Sequence, residues 1–273
     1  MNEYFYVKHT DKFSFVYVEH GVLHQKDYGL RFSAKDLFFE IPVGSLSTLL
    51  IGPGVSVTHS GIVLASRLKC VILWVGEDIS TFYANSGCED RRNDNLLKQI
   101  RLYTKYKDKM ALKLYCKRFN EKYNPRKVNL KVMMGMEGAK VKAKYLELAK
   151  KYGVPWVGRS ISGEWNDQTT YNQALSLANH CLYGIVASAL QALGYSSGLG
   201  IIHEGHMQSL VFDIADLYKI DYSIPTAFEA SSLKNINVKE FVKSKMRDLL
   251  IDKEFMSTVV RDIEELMNEN SYS

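Results

Sequence analysis

The sequence predicts an α+β protein, with an N-terminal β-sandwich-like domain followed by a larger all-α domain, and three observations predict it. Residues before position 86 form short runs rich in Val, Phe, Tyr, Leu and Ile, each bounded by turn residues, as strands are. Residues after it repeat apolar positions every three or four, the period of a helix. Between them GCEDRRNDN is polar, charged and unlike either flank, which puts the domain boundary between 1–85 and 86–273.

The segments YFYVKH, FSFVYVEHGVLHQKD, LRFSAKDLFFEIP and SLSTLLIG read as strands, bending at His20 and Gly21 and at Asp27 and Gly29. Thr58 can accept a bond from a first-turn amide, so a short helix is expected from there to Leu68. CVILWVG then reads as a buried strand and TFYAN as another. GPGVSVTHSG places glycines before the helix but lacks the lysine of a phosphate-binding loop, so it is read as a tight turn.

Past the boundary, NLLKQIRLYTKYKDKMALKLYCKRF is helical, with apolar positions at Leu96, Leu97, Ile100, Tyr103, Met110 and Leu114. Lys98, Arg101, Lys105, Lys109, Lys113 and Lys117 step along it and predict one basic stripe suited to phosphates. MMGMEGAKVKAKYLELAKKYGV is a second helix with a stripe of Val141, Tyr145 and Leu148. Tyr171 to Leu193 is apolar enough for a central core helix, with Gly194 as its cap. The tail from Val238 reads as one or two amphipathic helices.

Composition narrows the function. No apolar run reaches membrane length and the start lacks a basic-then-apolar signal, so a cytoplasmic protein without a membrane partner is expected. The 4 cysteines have no C-x-x-C spacing, which argues against a disulfide scaffold or a zinc knuckle. Residues 85–160 hold 20 Lys+Arg against 7 Asp+Glu, whereas residues 161–273 hold 8 against 15. Cations to grip a phosphate backbone beside acids to hold a metal is the pattern of a nuclease-like site.

The acids themselves stand in GLGIIHEGHMQSLVFDIADLYKID. Asp213 and Asp216 are three apart, so on one helix both carboxylates leave the same side, and two like charges that close call for a cation between them. His203, ten residues earlier, is a third ligand of the kind that suits Mg2+ or Mn2+. The HEGH run is not the zinc-protease motif, whose histidines are four apart. Glu137 is the candidate second acid, with Lys140 and Lys144 on its flank. Its neighbours Gly135 and Gly138 each cost a helix about 1 kcal/mol, which predicts a close backbone approach there.

Three blocks, LLIGPGVSVTHSGIVLASRLKCVILWVGED, MEGAKVKAKYLELAKKYGVPWVGR and NQALSLANHCLYGIVASALQALGYSSGLGIIHEGHMQSLVFDIADLYKID, closely resemble the CRISPR-associated spacer-acquisition integrase, most of all its subtype I-E version. The resemblance spans nearly the whole chain. It implies Mg2+ or Mn2+ held by Glu137, His203 and Asp216, with Asp213 the neighbouring catalytic acid and Tyr183 near the site. It implies double-stranded DNA as substrate, the 3′-hydroxyl ends of a short fragment being joined to a CRISPR repeat by transesterification. Arg92, Lys98, Arg101, Lys105, Lys140, Lys144, Arg159 and Lys219 are the candidate DNA contacts. It also implies a homodimer bound to the small second adaptation protein. The aromatic strands carrying Phe13, Phe15 and Tyr17 are the expected dimer contact. Ile161 stands where some relatives have a second tyrosine, and a proline-rich tail found in a relative is not expected here. Two other readings remain from the residues alone: a metal-dependent nuclease resolving branched DNA without integration, and a DNA-binding scaffold whose acids only stabilise the fold.

Overall fold

Strands precede the long helices in the computed structural model, which describes residues 16–35, 37–77, 81–87, 93–119, 130–156, 158, 169–250 and 253–272. The strands are β1 (Val16–Val18), β2 (Gly21–Lys26), β3 (Gly29–Ala34), β4 (Leu37–Ile41), β5 (Thr48–Ile51), β6 (Val55–Val57), β7 (Val71–Val75) and β8 (Phe82–Asn85), with helix α1 (His59–Arg67) between β6 and β7. They form two four-stranded sheets, ordered β1-β5-β7-β8 and β4-β3-β2-β6. The bends fall where expected: His20 and Asp27 have φ of 53° and 51°, the left-handed region that turns require. Thr58 accepts the Gly61 amide and opens α1.

Between the sheets lies a core of Leu23, Phe32, Ile41, Leu49, Ile51 and Ile72, sealed by Leu64 of α1. The alternate residues Leu50, Val71, Leu73 and Val75 belong to a second core, shared with the helices. The sheet containing β5 and β7 is therefore buried on both faces, which is why these strands are apolar without alternation. It is a common wall between the β-rich and helical parts.

The helices are α2 (Asp94–Arg118), α3 (Leu130–Tyr152), α4 (Thr170–Leu193), α5 (Ser209–Ala215), α6 (Ser223–Ser232), α7 (Val238–Leu250) and α8 (Lys253–Leu266). Helix α4 is the central one, packed on α5, α6, α7 and α8. Thr169 caps its start and Gly194, at φ 77°, ends it. Among the described residues no helix is long and apolar enough to cross a membrane. Cys70 and Cys181 are buried and Cys116 is half-buried.

Several expectations need correcting. Leu97 and Ile100 are exposed, and the buried side of α2 is Gln99, Leu102, Met110, Ala111, Leu114 and Tyr115. Gln99 bonds both the amide and the carbonyl of Ser196, so a polar residue sets the phase of the helix. The basic stripe is also not one surface. α2 breaks its helical geometry at Tyr106, whose ring stacks on Tyr272 at 5.8 Å. Beyond that kink Lys109 donates to the Tyr272 carbonyl at 2.5 Å, Lys113 to the Glu265 carbonyl, and Lys117 pairs with Asp262 and Glu265 at 2.8 and 2.6 Å. These three lysines hold the last helical segment, with Lys113 and Lys117 partly covered by it and Lys109 still exposed. A Cβ at Gly135 or Gly138 would meet no atom within 4 Å, so the close approach inferred from them is absent among the described residues. Tyr17 packs against the helical core with its hydroxyl on Glu19, while Phe13 and Phe15 lie outside the described residues.

Candidate functional site

The site begins with a loop. Gly194 stops α4 and the chain turns back over residues 195–208 to reach α5. Gly200 makes this possible, because a Cβ there would collide with the His203 carbonyl and the Ser209 side chain. Asp213, with no exposed side-chain surface, holds the loop from beneath. Its Oδ2 accepts the Ile201 and Ile202 amides at 2.5 and 3.1 Å, and its Oδ1 accepts the His203 amide at 2.9 Å.

Asp213 Oδ1 also lies 2.7 Å from His203 Nδ1. A carboxylate can only accept, so Nδ1 carries the proton and the lone pair of the neutral ring sits on Nε2. The Phe212 ring lies edge-on to the imidazole at 5.9 Å and limits its rotation. The hydrogen bond to Asp213 raises the His203 pKa above its usual value, desolvation opposes it, and the Asp216 charge adds to the rise.

Asp216 caps the C-terminal end of α5. Its Oδ1 is 2.6 Å from Lys219 Nζ, and its Oδ2 is 3.3 Å from Arg118 Nη1. The same Arg118 nitrogen pairs with Glu137 of α3. One guanidinium at the end of α2 thus joins two carboxylates from different helices, and its side chain is only 9% exposed. One turn earlier on α2 stands buried Tyr115, whose phenol is pushed up by burial and by the Glu137 carboxylate. Burial pulls the Lys219 ammonium down, but Asp216 and the Tyr183 hydroxyl outweigh it and hold the lysine charged. Lys219 also sits over the Tyr183 ring at 5.0 Å.

The structure therefore brings together Glu137, His203, Asp213, Asp216, Lys219 and Tyr183 from the sequence reading. It adds Arg118 and Tyr115, which that reading missed. Among the described residues no three His, Cys, Asp or Glu side chains already stand close enough to hold an ion. The donor types nevertheless fit a divalent cation. Two carboxylates converge on one positive group, and an imidazole is oriented by a carboxylate on its other nitrogen, as metal-ligating histidines are.

The other candidates lie outward. Arg101 and Lys105 are exposed on the first half of α2 and Lys98 half-buried there, with Arg101 3.6 Å from Glu269. Lys140 lies over the Phe119 ring at 4.9 Å, and Lys144 pairs with Glu147 at 2.8 Å. Lys219, expected among the DNA contacts, lies within the acid cluster. Arg92 and Arg159 lie outside the described residues. Beside the cluster a cleft of about 390 Å³ opens between Phe82, His180, Tyr183, His206 and Phe212.

Residues 94–265 match the family described as CRISPR associated protein Cas1. The chain is 33% identical to the CRISPR-associated endonuclease Cas1 2 of Thermus thermophilus, over 94% of this chain and 79% of that protein. It is 31% identical to the CRISPR-associated endonuclease Cas1 of Escherichia coli, over 94% of this chain and 85% of that one. Among solved structures, the TtCas1–DNA complex superposes with a TM-score of 0.88 at 32% identity, covering 96% of this chain and 99% of that chain. A casposase bound to integration product, 12% identical with a TM-score of 0.59 over 94% of each chain, shares the fold.

Proposed function

Because the chain belongs to the CRISPR-associated Cas1 family, we propose that it is the DNA endonuclease and integrase of CRISPR adaptation, joining the 3′-hydroxyl ends of a short duplex fragment to a CRISPR repeat. The observation that carries this reading is the convergence of Glu137 and Asp216 on one cationic position beside a histidine locked by Asp213. Glu137, Asp216 and His203 Nε2 would hold Mg2+ or Mn2+. When bound, the ion supplies Lewis-acid polarisation of the scissile phosphate and charge for the leaving oxygen.

The chain's own residues do the rest. Asp213 keeps the imidazole in the tautomer that presents Nε2, at no cost in reorganisation when the substrate arrives. Lys219, held charged by Asp216 and Tyr183, offers a donor to a non-bridging phosphate oxygen. Lys98, Arg101 and Lys105 lie on the first half of α2 and suit the backbone of the duplex. In the joining step the fragment's 3′-oxygen forms a new P–O bond at the phosphorus on the repeat's 5′ end as the 3′-oxygen of the nucleotide flanking the repeat leaves. The attacking hydroxyl gives up its proton and the departing oxygen takes one, both exchanged with solvent.

Two joinings at a fixed separation require two copies of the site, so the working form is a homodimer bound to the small second adaptation protein. The sheet β4-β3-β2-β6 supports this, because Tyr28, Leu37 and Phe38 are 71, 61 and 65% exposed on or beside its strands. The test is strand joining on a supercoiled repeat-bearing plasmid with Glu137→Ala, His203→Ala and Asp216→Ala, melted in parallel. Each variant should lose joining and keep a wild-type melt. Joining at the wild-type rate removes that residue from the site. Cleavage of branched DNA with no joining by the wild type favours a resolving nuclease, and variants that only lower the melting temperature favour a scaffold.

A further inference from the structure

A metal-binding reading leaves Arg118, at the centre of this cluster, without a task. Its guanidinium pairs with Glu137 and with Asp216 Oδ2. Those are two of the three groups that would hold the ion. Lys219 occupies the remaining Asp216 oxygen at 2.6 Å. Asp213 is fully engaged by three backbone amides and the imidazole. The two carboxylates left for an ion thus face two permanent cations, and the cluster offers a divalent ion little net attraction. At 9% exposure water screens the Arg118 pairs weakly, so this balance matters more than it would at the surface.

A phosphodiester changes the balance. It brings a negative charge and oxygens with the planar spacing that a guanidinium binds in two places. A cation can then leave Glu137 and Asp216 without losing its counter-charge, and the carboxylates become free for the ion. We propose that Arg118 makes metal uptake conditional on DNA: in the free protein its guanidinium holds the place between Glu137 and Asp216, and a backbone phosphate draws it away so that ion and duplex bind together. Arg118 is on this account a positioning residue whose effect is on the order of events at the site. The inference rests on the metal-site reading above.

The experiment measures Mn2+ binding by electron paramagnetic resonance, with and without a short duplex whose ends are 3′-deoxy and cannot be joined. The full chain is used throughout. Wild-type protein should bind Mn2+ about tenfold more tightly with the duplex than without it. Arg118→Gln should bind Mn2+ about tenfold more tightly than wild type in the absence of DNA and gain little from the duplex. Arg118→Lys, which keeps the charge, should restore part of the dependence on DNA, a rescue that mere packing would not produce. Equal wild-type affinity with and without the duplex overturns the proposal, and needs no variant. So does an Arg118→Gln affinity no greater than that of the wild type. If no protein binds Mn2+ in a way that His203→Ala abolishes, the metal site itself is wrong. If the wild type binds it through His203 but Arg118→Gln changes nothing, only the present inference falls.

Discussion

Replacing Asp213 by asparagine keeps the size of the side chain and one of its oxygens. That oxygen can still take the Ile201 and Ile202 amides, but the new NH2 group then faces the His203 amide and ring Nδ1. A hydrogen bond to a charged group is worth roughly 1.5–3 kcal/mol, and here one is lost outright while two lose their charge, for a total of about 3–5 kcal/mol. Unfolding entropies near 2.1 cal/mol/K per residue turn this into a melting temperature lower by about 5–9 °C. The chemical effect is larger than the thermal one. The amide can only donate to Nδ1, so the ring proton moves to Nε2 and the lone pair aimed at the site disappears. Long-range 15N–1H spectra of the neutral imidazole should show Nδ1–H in the wild type and Nε2–H in Asp213→Asn. A variant that keeps Nδ1–H and melts with the wild type would refute the view that Asp213 orients His203.

The split of the basic stripe gives opposite expectations for its two halves. Replacing Arg101 and Lys105 by alanine should lower the slope of log affinity against log salt by about one unit per lost phosphate contact, equally on unrelated duplexes. Replacing Lys113 and Lys117 should leave that slope unchanged and lower the melting temperature instead, because these lysines hold Glu265 and Asp262. A reversed pattern would mean that α2 binds DNA on the other side of its kink. The hydrogen bond from the Lys117 ammonium outweighs burial, which acts in the opposite direction, and holds Glu265 below the usual carboxylate range. Its stabilising share is therefore present above the unfolded value near 4.5 and fades as the pH falls through the lowered one. Glu265→Gln should accordingly melt with less dependence on pH between about 5 and 3 than the wild type, by a small margin because Glu265 is half exposed. Equal slopes in the two proteins would assign acid sensitivity elsewhere.

What could be read from the sequence depended on how local its cause was. Thr58 before α1 and Gly194 after α4 act within one turn of themselves, and both helix ends fell where their chemistry put them. The spacing of His203, Asp213 and Asp216 drew attention to residues that the fold places at one loop and helix. It did not reveal how the two aspartates divide their work, since the three-residue argument assumed a helix running through both. α5 ends at Ala215, so Asp213 turns under the loop while Asp216 reaches Arg118 and Lys219. Arg118 was not foreseen because it meets Asp216 across 98 residues of chain. The only local hint was its place beside Lys117, one step off the rhythm of the stripe. Gln99 escaped for a related reason: a search for apolar periodicity has no way to find a helix face anchored by an amide.

The kinked second half of α2 also has a history within the life of each molecule. Lys109, Lys113 and Lys117 meet partners 163, 152 and 148 positions downstream. At 5–20 residues per second a ribosome needs about 10–30 s to supply them. Through that interval α2 carries its whole row of uncovered positive charge in a cell full of RNA. Only when residues 262–272 arrive do Lys113 and Lys117 become partly covered and all three of these lysines gain partners, while Arg101 and Lys105 stay exposed. The positive charge that α2 leaves unpaired is thus smaller in the finished protein than in its own half-made chain.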